Sequence, residues 1–219
     1  MSRITTVASQ GLWSKNPIWV QLLGLCPLMA VSSSVVNALG LSLATLAVLS
    51  GSNLSVSLVR SLVADHLRIP VFILIIASFT TIMMLLMQSF TFELYLRMAL
   101  FVQIIVTNCI ILGRAETFAR HNRPLLALWD GLMVGAGFSV ALLVLGAARE
   151  ILSQGTLMSG MDLLLGPPAA QWAIQVSPFD FNVLLAALPP GAFIVAGLLL
   201  ALKNAFAPGV DPAIAEDTD

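Results

Sequence analysis

The amino-acid sequence predicts an all-α integral membrane protein. Six transmembrane helices form two inverted three-helix repeats, with broken or half helices carrying the cysteines. Composition, run length and the placement of helix breakers lead to that class. Hydrophobic residues make up 58% of the 219 residues and charged ones 10%, against about 25% charged in a soluble domain. So few charges do not cover a water-facing surface of this size, and the mean hydropathy of +0.97 agrees. The apolar residues also run on over span-length stretches, about 20 residues at 1.5 Å rise for a hydrocarbon core of about 30 Å. The period-two alternation of an outer-membrane barrel is absent.

Residues 1–17 are polar, with Arg3 and Lys15, and lack a small-residue cleavage site after a short apolar stretch. They read as a cytoplasmic lead-in with Leu12 and Trp13 at the headgroups, not as a signal peptide. The membrane domain occupies residues 18–206. Its first apolar stretch, 18–49, is too long for one span and too short for two. Pro27, Ser32-Ser33-Ser34 and Asn37 interrupt it, and proline removes a backbone donor. Backbone groups freed in lipid must find partners inside the protein. A broken helix over 18–33 and a second helix over 36–60 follow. After a polar loop, helices are predicted over 69–90 and 92–112, the latter holding Asn108-Cys109 near its end. Residues 114–123 are the most charged, closed by Pro124. The fifth helix covers 126–148, where Gly131, Gly135 and Gly137 make a small-residue face for another backbone. A long loop over 149–182 leads to a sixth helix over 183–206, opened by Pro189-Pro190-Gly191. The acidic, proline-containing tail 207–219 reads as disordered.

Val20-Gln21 precedes Cys26, and Val102-Gln103 precedes Cys109, so each cysteine falls in the first helix of a three-helix half, at about 18–90 and 92–206. Three is an odd number, so the halves insert in opposite senses, as in transporters whose working site lies where interrupted helices meet. With six crossings, Arg3, Lys15, Arg60, Arg68, Arg114, Arg120, Arg123 and Lys203 collect on the side of the N-terminus, against Arg97 and Arg149 opposite. By the positive-inside bias both termini are cytoplasmic.

The net charge of −1 and the lack of any basic cluster exclude a nucleic-acid partner. No GxSxG, phosphate-binding loop or dinucleotide-binding glycine pattern is present, and Gly135-Ala136-Gly137 lies mid-helix. His66 and His121 sit in polar loops without a partner at metal-ligand spacing, which reads as solvation. Glu93 and Arg97 are spaced for an i,i+4 pair. Arg114-Glu116, Asp130 and Arg149-Glu150 lie at helix ends, where interfacial anchoring competes with the lining of an ion path. Cys26 and Cys109 are the only cysteines. Cysteine is often an inert buried hydrophobe, but each of these lies beside a helix disturber, Pro27 or Asn108. Thiolates are soft ligands for iron–sulfur clusters or zinc. A [2Fe–2S] cluster commonly takes four cysteines, so a cluster here would be shared with a second polypeptide or a second copy.

The cysteine neighbourhoods carry a resemblance. Gln21-Leu22-Leu23-Gly24-Leu25-Cys26-Pro27-Leu28 and Asn37-Ala38-Leu39-Gly40-Leu41 form the first motif. Val106-Thr107-Asn108-Cys109-Ile110 with Gly113-Arg114-Ala115-Glu116 forms the second. Asp130-Gly131, Leu145-Gly146, Arg149-Glu150-Ile151, Gly155-Thr156-Leu157 and Leu188-Pro189-Pro190-Gly191-Ala192-Phe193 add to them. Over residues 11–203 the chain resembles the family formed by the E subunit of the Rnf electron transport complex and the D subunit of the sodium-pumping NADH:quinone oxidoreductase. Two departures are Ser32-Ser33-Ser34, in place of a stretch richer in threonine and asparagine, and the acidic tail, in place of a basic one.

The resemblance implies a six-helix inverted repeat in the bacterial inner membrane. It implies an intramembrane [2Fe–2S] cluster shared with a homologous partner of opposite topology, the A subunit of the Rnf complex, with Cys26 and Cys109 as this chain's two ligands. It further implies the remaining Rnf subunits B, C, D and G, and ferredoxin–NAD electron transfer coupled to sodium or proton movement. The Ser-Gly-Ala-Thr type of flavinylation motif is absent, so no covalent flavin is expected. An inverted-repeat transporter or channel with structural cysteines is the alternative from another functional class.

Overall fold

The computed structural model describes residues 18, 21–161, 174–175 and 188–206. Their fold is helical apart from one two-residue strand pair. A short helix α1 (Leu25–Val31) starts after Gly24, which is left-handed at φ 75°, and stops at Ser32. Helix α2 (Val35–Val59) follows an extended Ser34. A 3₁₀ turn at Asp65–Leu67 leads into α3 (Arg68–Phe90). Helix α4 (Phe92–Ile104) loosens into a 3₁₀ turn at Ile105–Thr107. After Asn108 the path resumes as α5 (Cys109–Arg114) and widens into a π turn at Ala115–Ala119. Helix α6 (Pro124–Gln154) opens on proline and closes on left-handed Gly155, the ordinary start and stop residues of a helix. Strand β1 (Thr156–Leu157) pairs antiparallel with β2 (Ile174–Gln175). Helix α7 (Pro189–Phe206) completes the described chain.

Four helical stretches are long and apolar enough to cross a membrane: Val35–Val59, Arg68–Phe90, Phe92–Ala119 and Pro124–Gln154. The apolar helix Pro189–Ala205 is shorter. α2 is the central rod, with 67% of its most apolar window buried against 17% for α3. It packs along α6 backbone to backbone. A Cβ on Gly131 would lie 2.9 Å from Ser50 Cα, one on Gly135 3.3 Å from Leu46 Cα, and one on Gly146 3.1 Å from Ala38 Cβ. As the α6 number rises the α2 number falls, so the two helices are antiparallel. Outward-facing Leu74, Leu85, Leu100 and Phe90 present large apolar side chains, as suits a lipid or partner-helix environment rather than water.

Several sequence expectations shift. The broken helix predicted over 18–33 is helical only from Leu25 to Val31 among the described residues. The helix predicted over 92–112 is interrupted four residues after Ile104 and then runs on to Ala119, because Asn108 restarts it instead of ending it. The fifth helix extends six residues past Ala148, since Arg149 and Glu150 are buried in packed structure and are not interfacial anchors. The small-residue face is formed by Gly131, Gly135 and Gly146. Glu93 and Arg97 are both exposed, whereas Arg114–Asp130 and Arg120–Glu116 do form ion pairs. Much of the predicted 149–182 loop, the start of the sixth helix, the lead-in and the tail lie outside the described residues.

Candidate cofactor-binding site

Each cysteine opens a helix that follows a break. Cys26 is the second residue of α1, where the next residue, Pro27, is tolerated because first-turn N–H groups have no helical acceptor. The approach is held in unusual backbone, with Leu22 at φ 54° and Gly24 at φ 75°. A left-handed leucine costs about 1–3 kcal/mol and persists only where its surroundings impose it. Cys109 is the first residue of α5. Asn108 caps that helix, its Oδ1 accepting from the backbone N–H of Ile110 at 3.1 Å. A short polar side chain thus takes over the first orphan donor.

The two breaks meet. A Cβ on Gly24 would collide with Cδ1 of Ile110, lie 2.9 Å from its Cγ1 and stand 3.3 Å from Asn108 Oδ1. Only glycine, with its left-handed backbone and missing side chain, fits this seam. The turn before Cys26 and the two residues flanking Cys109 therefore share one contact, although 82 positions separate Asn108 from Cys26 in sequence. Both thiols are free and exposed on the surface of the chain, so neither is the buried hydrophobe of the alternative reading. The Asn108–Ile110 side of the seam belongs to the span-length stretch Phe92–Ala119.

Two polar clamps fix the elements around it. Arg149, 1% exposed, donates to Met29 O at 3.2 Å, Ser32 Oγ at 2.7 Å and Leu188 O at 3.1 Å. It thereby satisfies a carbonyl near the end of α1 and ties it to the start of α7. Glu150, fully buried, accepts from the backbone N–H of Val35 at 2.7 Å and of Ser159 at 2.8 Å. It caps α2 from 115 positions away. The break at Ser32-Ser33-Ser34 is therefore paired on both sides by one dipeptide of α6. The second clamp is a two-bond ion pair: Arg114 Nε donates to Asp130 Oδ2 at 2.9 Å and Nη2 donates to Oδ1. The Arg114 guanidinium also lies 5.0 Å from the Phe118 ring centre. This pair locks α5 to α6, five residues beyond Cys109.

His66 and His121 lie on exposed turns. Sequence reasoning assigned Arg149-Glu150 and Asp130 to helix ends or an ion path and missed their structural task. The legible signal was the coincidence of a serine-rich break with an Arg-Glu pair inside an apolar helix. Among the described residues no three His, Cys, Asp or Glu side chains gather at metal-binding distance. The two thiols on touching turns are soft donors, and the described residues supply two of them.

Residues 4–200 match the family described as Rnf-Nqr subunit, membrane protein. The chain belongs to the Rnf-Nqr family. Several curated relatives of this Rnf-Nqr chain are named as the E subunit of an ion-translocating oxidoreductase complex. The one from Pseudomonas aeruginosa strain UCBPP-PA14 is 56% identical over 210 residues, 96% of this chain and 87% of that one. The protein of the same name from Shewanella sp. strain ANA-3 is 57% identical over 204 residues, 93% of this chain and 88% of that one. Its namesake from Vibrio vulnificus strain YJ016 is 56% identical, covering 93% of this chain and 89% of that one. The Rnf-Nqr match includes both cysteine turns, both clamps and the glycine face.

Proposed function

We propose that this chain is the E-type membrane component of an Rnf-type ion-translocating oxidoreductase and that it carries electrons through the bilayer. Cys26 and Cys109 would supply two thiolates to a [2Fe–2S] cluster completed by two cysteines of a homologous partner, the A subunit. The observation that carries this reading is the pair of exposed thiols on two packed helix breaks. When bound, the cluster supplies one-electron redox chemistry at a depth water does not reach. The chain's own part is to hold the thiolates, keep Gly24 and Asn108 in register, and exclude water with apolar walls such as Leu25 and Ile110. Soft, charged thiolate ligands suit such a centre.

The wider reading places the chain among subunits B, C, D and G in the bacterial inner membrane. There the complex couples ferredoxin:NAD⁺ electron transfer to sodium or proton movement. Six crossings in two inverted halves, with both termini cytoplasmic, are supported by the antiparallel α2–α6 pair, which are the middle helices of the two halves. They are also supported by Arg60, Arg120 and Arg123 gathering at one end.

Cys26→Ser and Cys109→Ser, each made in the intact complex, test the assignment. The electron paramagnetic resonance signal of the reduced cluster should vanish and electron flow should stop while the complex still assembles. A signal and rate unchanged in either variant refute it.

A further inference from the structure

An apolar groove of about 160 Å³ opens between α1, α6 and α7. Every residue that lines it is apolar. Leu28 of α1 and Leu145 of α6 form its floor, each 2% exposed, and Leu22 and Phe193 form its lips, 51% and 64% exposed. Gly197 leaves it hollow, since a Cβ there would meet nothing within 4 Å. An apolar cavity of about 150 Å³ stays dry and takes up apolar molecules, so the lining selects hydrocarbon as the filling. Leu22 points the same way. Its left-handed backbone, at φ 54°, persists only where its surroundings impose it, yet this chain leaves half of the residue uncovered.

The α7 wall identifies the kind of hydrocarbon. Phe193, Gly197 and Leu200 lie along the groove at helical spacing. The same stripe continues into Asn204, with Lys203 beside it. Lys203 stands six positions beyond Gly197, about 9 Å along the helix. The 18 residues of α7 give a length of about 27 Å, against a hydrocarbon core of about 30 Å, so its last turn falls at headgroup level. An apolar hollow with an ammonium and an amide at one end matches a molecule with an acyl chain and an anionic head. We propose that the groove binds one anionic phospholipid, its chain in the hollow beside Gly197 and its phosphate at Lys203 and Asn204. The bound chain covers Leu22 and steadies the turn that leads to Cys26. This site does not depend on what the cysteines bind.

The test uses the intact complex in nanodiscs of equal phosphatidylglycerol and phosphatidylethanolamine. The photoreactive analogue p-benzoylphenylalanine replaces Phe193 in one sample and outward-facing Leu198, 67% exposed, in another. Each complex is extracted into detergent, irradiated and analysed by mass spectrometry. Position 193 should capture phospholipid several-fold more than position 198, because a seated lipid survives extraction and bulk lipid does not. Phosphatidylglycerol should exceed phosphatidylethanolamine about fivefold, the factor for one ammonium at a membrane surface. Lys203→Gln should remove that preference, and Gly197→Leu should fill the hollow and lower capture several-fold. Equal capture at the two positions, capture of another subunit or of no lipid at position 193, or equal capture of the two phospholipids with Lys203 intact overturns the proposal. These comparisons stand even if Gly197→Leu fails to assemble.

Discussion

Gly24 is the residue on which the two cysteine turns depend. An alanine there meets two independent penalties. A left-handed backbone costs a non-glycine residue about 1–2 kcal/mol, and overpacking against Ile110 adds about 1–3 kcal/mol. Gly24→Ala should therefore lower the thermal unfolding midpoint of the purified complex and reduce its iron content. Adding Ile110→Ala should recover the packing share but not the backbone share, so the double variant is expected between the two. Gly197→Ala is the control, because nothing lies within 4 Å of a Cβ there, and it should stay within about 0.5 kcal/mol of the parent. Equal effects at Gly24 and Gly197 would show that the seam is not tightly packed. Both motifs surrounding the cysteines were legible in the sequence. What was not legible is that Gly24 needs its missing side chain because of Ile110, since that demand arises only when two distant turns touch.

At the scale of elements, the α6 dipeptide Arg149-Glu150 decides whether α1 and α2 remain two helices held at a fixed break. Glu150→Ala leaves the backbone donors of Val35 and Ser159 without an acceptor, at about 1–3 kcal/mol for each. Glu150→Gln keeps one good acceptor and should lose about half as much. Hydrogen exchange over residues 25–40 is the direct measurement: protection should fall most in Glu150→Ala and be fullest in the parent. Arg149→Lys keeps the charge but presents one compact ammonium in place of a planar fork, so it should release the Met29, Ser32 and Leu188 contacts in part. Exchange that is unchanged in all three variants would remove the clamp from the account. The sequence did predict a break after α1, from its proline and serines. It did not predict the clamp, because an arginine and a glutamate near the end of an apolar helix look the same whether they face headgroups or a buried turn.

At the scale of the whole molecule, one end gathers the loop after α2 and the turn before α6. Arg60 Nη1 donates to the carbonyls of Arg120 and Asn122, each at 2.9 Å, and the Ser57 hydroxyl donates to Asn122 O at 2.7 Å. The other end gathers the α1–α2 break and the α6–β1 turn, joined by Glu150. A membrane-impermeant thiol reagent should therefore label Ser61→Cys and His121→Cys from one face of the membrane, and Thr91→Cys and Ser159→Cys from the other. On the proposed topology the Lys and Arg bias makes the first face cytoplasmic, so inside-out vesicles should expose it. Labelling of Ser61→Cys and His121→Cys from opposite faces would contradict the packing of α2 on α6.

The sequence by itself determined that this chain lives in a membrane, where most of its described helices fall, and which two side chains are the candidates for redox ligation. These are local properties: charge density, run length, helix breakers and short motifs are all read from neighbours along the chain. The tertiary structure alone decided that the two breaks form one seam, that Arg149, Glu150 and Asp130 are internal fasteners, and that an apolar groove opens between α1, α6 and α7. The seam and the Arg149-Glu150 clamp depend on contacts between residues about 80 to 120 positions apart. In a low-dielectric interior a buried polar group must be paired, and which partner it finds is set by helix packing and not by spacing along the chain.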